Sequence, residues 1–103
     1  MRTIWKYPIP RTPSFALVMP RDATILTVQL QDGKPVLWAL VEVEEPDVAG
    51  EDRHFKLLMT GQEMEPAHAL AFDAERLRYV NTFQGNAWGP TLVFHLFEYR
   101  SGS

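Results

Sequence analysis

The sequence predicts a mainly β fold, an antiparallel meander forming a small sandwich or half-open barrel, with one short helix near residues 66–75. Three observations predict it. Asp32-Gly33 separates two runs rich in β-branched and aromatic residues, the sequence signature of a tight hairpin. A second pair of such runs, Leu77–Gln84 and Thr91–Tyr99, flanks Gly85-Asn86-Ala87-Trp88-Gly89-Pro90, a segment dense in turn residues. Helical spacing of apolar residues occurs in one stretch only, Ala67–Glu75.

Taken in order, the first strand is Thr3–Ile9 and the second Phe15–Met19, with Pro8, Pro10, Pro13 and Pro20 confining both to edges, bends or loop starts. The hairpin follows. A type I′ turn at Asp32-Gly33 sets its register, pairing Gln31 with Lys34, Val28 with Leu37 and Leu26 with Ala39. Leu26, Val28, Leu30, Leu37, Ala39 and Val41 then share a core face. The opposite face, Ile25, Thr27, Gln29, Val36, Trp38 and Leu40, is too apolar to be fully exposed. Pro35 falls opposite Leu30 at a non-hydrogen-bonded pair, where its missing N–H costs nothing. A further strand is expected over Phe55–Thr60. In the helix, Ala67, Leu70, Ala71, Ala74 and Leu77 form one stripe, and Pro66 suits the first helical position. The last strand, apolar on both faces from Leu92 to Phe97, reads as central.

With 103 residues the chain makes one domain, 1–103, and its 46% apolar and 22% charged content is that of a globular protein. The absence of cysteine excludes disulfides, thiolate nucleophiles and cysteine-bound zinc. There is no signal-peptide core, and no apolar run approaches the roughly 18–20 residues that span a bilayer, so a cytoplasmic protein without membrane contact is expected. Nucleic acid is not an expected partner, because the pI is about 5.5 where such a domain would be basic. Charge is nonetheless uneven. Arg2, Lys6, Arg11 and Arg21 lie in a stretch without acids, while Glu42, Glu44, Glu45, Asp47, Glu51 and Asp52 lie in one without bases. That is either a solvated loop with scattered surface arginines, or a bipolar surface that steers a charged partner or pairs two copies head to tail as a homodimer.

Thr3-Ile4-Trp5-Lys6-Tyr7-Pro8, Ile25-Leu26-Thr27-Val28-Gln29, Leu37-Trp38-Ala39-Leu40-Val41, Thr82-Phe83-Gln84 and Leu92-Val93-Phe94-His95-Leu96-Phe97-Glu98 carry a resemblance. The chain resembles a family of short uncharacterised proteins common in bacteriophages and prophage-bearing bacterial genomes. The likeness runs through most of the chain in the same order. It lapses between Gly61 and Leu77 and at Gly85–Pro90, where this chain is longer. The resemblance implies a context, a phage or prophage accessory protein acting inside a bacterium, and brings no catalytic residues with it.

No reaction chemistry stands out. His54, His68 and His95 form no short paired motif, so neither a metal nor another cofactor is expected. The serines, Ser14, Ser101 and Ser103, sit in no nucleophile elbow, and the Walker and dinucleotide glycine patterns are absent. An enzyme is therefore not the favoured reading. Binding remains. Trp88, with Asn86 beside it, is the leading candidate, since tryptophan in a turn-rich loop is covered either by a partner or by the fold itself. Trp5, on an edge strand, is a second candidate. His95, in the central strand, is either a half-buried histidine bonded to a neighbour or part of a site. The expected function is a non-enzymatic accessory binding protein acting on a host protein or a small signalling molecule, with counter-defence as one purpose. The alternatives are a structural or assembly protein, and a small hydrolase or phosphoesterase, which a cleft joining His95 to a carboxylate would favour.

Overall fold

In the computed structural model, which describes residues 1–43, 50–85 and 92–100, Asp32 and Gly33 take φ of 52° and 78°. That is the left-handed pair a type I′ turn requires. The turn joins β3 (Thr24–Gln31) to β4 (Lys34–Glu42), with β1 (Arg2–Pro8) on the other side of β4 in a three-stranded antiparallel sheet of order β1-β4-β3. A second antiparallel sheet runs β2-β5-β7-β6, built from β2 (Ser14–Pro20), β5 (Gly50–Met59), β7 (Leu92–Tyr99) and β6 (Leu77–Gly85). The two sheets pack as a sandwich rather than a closed barrel. Of the strand pairings, only β3–β4 and β6–β7 join consecutive strands, so the connections are longer than those of a simple meander.

The hairpin register agrees with the turn chemistry up to Thr27 and then slips. Gln31 faces Lys34, Leu30 faces Pro35 and Val28 faces Leu37, but Ile25, not Leu26, faces Ala39. Leu26 is the extra residue of a β-bulge. The slip turns Ile25 inward to pack on the core and leaves Leu26 47% exposed. Leu30, also expected in the core, is 40% exposed. It overhangs the edge of its sheet and meets the end of β6, where a Cβ on Gly85 would lie 2.9 Å from Leu30 Cδ1.

Between the sheets lie Val28, Leu37, Ala39 and Val41 from one side and Met19, Phe55, Leu57, Phe83 and Leu96 from the other, all buried. Leu37 and Leu96 have no exposed surface, so truncating either to alanine should cost about 2–5 kcal/mol. Asn81 ties the edges together: its Nδ2 donates to Thr27 Oγ1 at 2.6 Å and to the Val28 carbonyl at 3.0 Å. The outer face of β1-β4-β3 is partly covered by its own side chains. Lys6 Nζ reaches across β4 to Gln31 Oε1 at 2.8 Å, and Val36 on that face is 5% exposed.

Helix α1 (Pro66–Asp73) begins at its proline, as expected, and the predicted stripe is buried in part. Ala71 and Leu77 of the stripe are buried in a small cluster with Leu58 and Phe97 on the outside of the second sheet, whereas Leu70 is 68% exposed. β5 also begins five residues earlier than expected, at Gly50 instead of Phe55.

Candidate functional site

Alternation in β5 turns Phe55 and Leu57 inward, and the same period places Arg53 inward as well. In β7 the inward Leu96 is followed two residues later by Glu98, whose register partner in β5 is Phe55. The two charges therefore meet inside one end of the sandwich. Arg53 Nε donates to Glu98 Oε2 and Nη2 donates to Oε1 at 3.0 Å, a bidentate pair, while Nη1 donates to the Ala23 carbonyl at 2.8 Å. Glu98 is 7% exposed and is the buried charged residue of the core. Its hydrogen bonds push the Arg53 guanidinium further toward its charged form, against the opposing effect of burial.

Arg78 lies directly opposite Glu98 across the β6–β7 ladder. Both Glu98 oxygens are committed to Arg53, and Arg78 makes no ion pair among the described residues. Arg100 follows β7, positioned by its backbone N–H on the Arg76 carbonyl at 2.6 Å, and its guanidinium is likewise without an ion pair among the described residues. Both side chains reach solvent.

These groups border a cavity of about 340 Å³ where the edges of β3 and β6 part, beyond the Asn81 bridge. Its wall includes Ile25, Leu26, Arg78 and Val80, and Arg53, Glu98 and Arg100 complete it. Val80 is the extra residue of a second bulge, between Tyr79 and Asn81. Both bulges found among the described residues thus line one cavity, and bulges gather where a sheet edge is shaped for a site. The size suits a small molecule. On the other side of the Arg53–Glu98 pair an adjoining cavity of about 440 Å³ is lined by Asp22, Glu51 and Asp52. The corner is electropositive on its Arg78 side and electronegative behind it.

Of the binding candidates expected from the sequence, the two that are described, Trp5 and His95, do not line this corner. Trp88 and Asn86 lie outside the described residues. Trp5 sits on β1 opposite Ala39 and is 40% exposed at the far edge of its sheet. His95 is half-buried on the outer face of the second sheet, with Thr60 Oγ1 2.8 Å from Nε2 and Thr82 Oγ1 2.8 Å from Nδ1. Thr82 in turn lies 2.6 Å from the Tyr79 hydroxyl. His95 is thus bonded to neighbouring hydroxyls, and its ring meets no carboxylate in those bonds. His68 Nδ1 is buried without a hydrogen bond, 3.8 Å from Glu65. Among the described residues no three His, Asp or Glu side chains converge as a metal site. Nor is any described helix long and apolar enough to cross a membrane. The charge asymmetry is partly spent within the chain: the Met1 ammonium donates to Glu42 Oε1 at 3.0 Å, with Arg2 3.5 Å from Oε2, and the ammonium's hydrogen bond pulls the Glu42 carboxyl below its ordinary range. Residues 44–49 of the acidic stretch lie outside the described residues.

Arg53, Arg78, Glu98 and Arg100 are the residues that sequence reasoning passed over. Arg53 and Glu98 carried a readable signal, a charge at an inward position of an alternating strand. No curated protein and no solved structure matches the chain. One known family does, a domain of unknown function designated DUF7352, over residues 1–103.

Proposed function

The chain belongs to the DUF7352 family along residues 1–103, a domain whose function is unknown, and from its geometry we propose a non-enzymatic binding protein that takes up a small anionic molecule in the corner cavity. One observation carries this reading. Two arginines without ion pairs among the described residues, Arg78 and Arg100, flank a small-molecule-sized cavity walled by both bulges. An arginine left unpaired beside a bonded Arg–Glu pair retains its full set of donors for a carboxylate or phosphate. The resemblance of the sequence to phage and prophage proteins supports the wider setting: an accessory protein in the bacterial cytoplasm that sequesters a small signalling molecule, with counter-defence as its purpose.

The test is calorimetric titration at about 50 mM salt, where screening is weak, with inorganic phosphate, nucleoside monophosphates and simple carboxylates. At least one of these should bind, and Arg78→Glu should weaken that binding at least tenfold while leaving the melting temperature close to wild type. Absence of heat with every anion, together with no small molecule in native mass spectra of protein purified from bacteria, would overturn the reading.

A second reading, assembly with other copies, is favoured by the outer face of β1-β4-β3, where Ile4 is 55% exposed beside half-buried Trp38 and Leu40. Sedimentation as a monomer at tens of micromolar would remove it.

A further inference from the structure

Charge balance at the corner says what kind of anion fits, granted that the cavity binds an anion at all. Three guanidiniums, Arg53, Arg78 and Arg100, line the 340 Å³ cavity against one carboxylate, Glu98. Glu98 gives both its oxygens to Arg53, and those two charges offset each other. What remains is the charge of two arginines. Among the described residues the other carboxylates near the pair, Glu51 of β5, 3.9 Å from Arg53 Nη1, with Asp22 and Asp52, line the adjoining cavity, which Arg100 borders too. A ligand's negative end is therefore driven to the Arg78 side, away from those carboxylates. A monoanion there would set a single charge against two guanidiniums.

We propose that the cavity selects a dianion, and that its ligand is a small phosphomonoester held by Arg78 and Arg100. A monoester carries close to two charges at neutral pH because its second ionisation falls near pH 6. It also offers three acceptor oxygens in an array that guanidinium forks match, whereas a carboxylate offers two oxygens and a single charge. Arg53 adds to this without leaving Glu98. Three of its five N–H donors are used on Glu98 and Ala23, which leaves one on Nη2 and one on Nη1, the latter 3.9 Å from Glu51.

Phenyl phosphate and phenyl sulfate make the test, since they match in shape and differ by one charge at pH 7.5. Calorimetric titration at about 50 mM salt should show phenyl phosphate binding at least tenfold more tightly. At pH 5, where the phosphate ester has become a monoanion, the two affinities should converge to within about threefold. Arg78→Gln should bring the same convergence at pH 7.5, with a melting curve to establish that the variant is folded. Equal affinities for the two esters in the wild-type protein at pH 7.5 would overturn the dianion inference and leave the anion-binding reading standing. Binding of neither ester at millimolar concentration would remove both.

Discussion

Arg53 and Glu98 face each other inside the sandwich, 45 residues apart in sequence and joined by two parallel N–H···O bonds. Neither could sit there alone. A charge taken out of water is strongly penalised unless its partner comes with it. Glu98→Ala should therefore destabilise the protein by roughly 3–5 kcal/mol in urea titrations, because it leaves the guanidinium without its partner. Replacing both, as Arg53→Met with Glu98→Leu, should recover most of that loss. A double variant as unstable as the sum of the single ones would show that the two side chains do not act as a pair.

Tyr7 presents the opposite case, a buried hydroxyl with no hydrogen-bond partner among the described residues. Tyr7→Phe removes the group and keeps the ring, and should raise stability by about 1 kcal/mol. Burial also raises the Tyr7 pKa. A folded-state pKa above the unfolded one favours folding fully below the unfolded value, near pH 10, and that contribution is lost as pH rises through the folded value. The wild type should consequently lose stability above pH 10 more steeply than Tyr7→Phe, as measured by denaturant midpoints between pH 8 and 11.

The turn at Asp32-Gly33 should be sensitive to backbone strain alone. A Cβ on Gly33 would touch nothing within 4 Å, yet its φ of 78° lies where β-branched residues are disfavoured. Gly33→Val should cost on the order of 1–3 kcal/mol. Gly33→Asn, which tolerates positive φ, should cost much less. Equal denaturation midpoints for the two variants would contradict this.

Asn81 bridges the two sheets. Its amide donates twice to β3, and its Oδ1 accepts the Thr82 N–H at 2.8 Å. Asn81→Ala should cost about 1–3 kcal/mol through the groups it leaves unbonded. Amide hydrogen exchange should quicken at the ends of β3 and β6 and remain slow in β4 and β7. Uniform acceleration across all strands would mean that the bridge does not hold these edges in particular.

The parts of the fold legible in the sequence were those set by local chemistry. Asp-Gly dictates a turn whatever surrounds it, and the hairpin register followed for as long as the strand stayed regular. Leu26 lies at a bulge, which no local pattern records. The inward charges escape a local reading for a different reason. A strand expected to begin at Phe55 leaves Arg53 outside its alternation, and the apolar run from Leu92 to Phe97 stops one residue short of Glu98. Arg78 cannot be chosen from the other basic residues without the strand order, since the β6–β7 register is what brings it to Glu98, whereas Arg100 lies two residues beyond Glu98 in the same stretch. His95 was legible as a half-buried, hydrogen-bonded histidine, although its threonine partners were not.

The bulges at Leu26 and Val80 also bear on how the protein behaves when crowded or heated. An irregular backbone is a poor template for an incoming strand, so β3 and β6 are protected against open-ended growth. β1 carries Arg2 and Lys6 along its length, and like charges discourage stacking. β2 has neither defence. It pairs with β5 without a break, contains no charged residue, has no pairing strand on its other edge among the described residues, and leaves Val18 65% exposed. Fibrillar aggregation under stress should therefore nucleate at Ser14–Pro20, and a single lysine at Val18 should delay it more than one placed on any other strand.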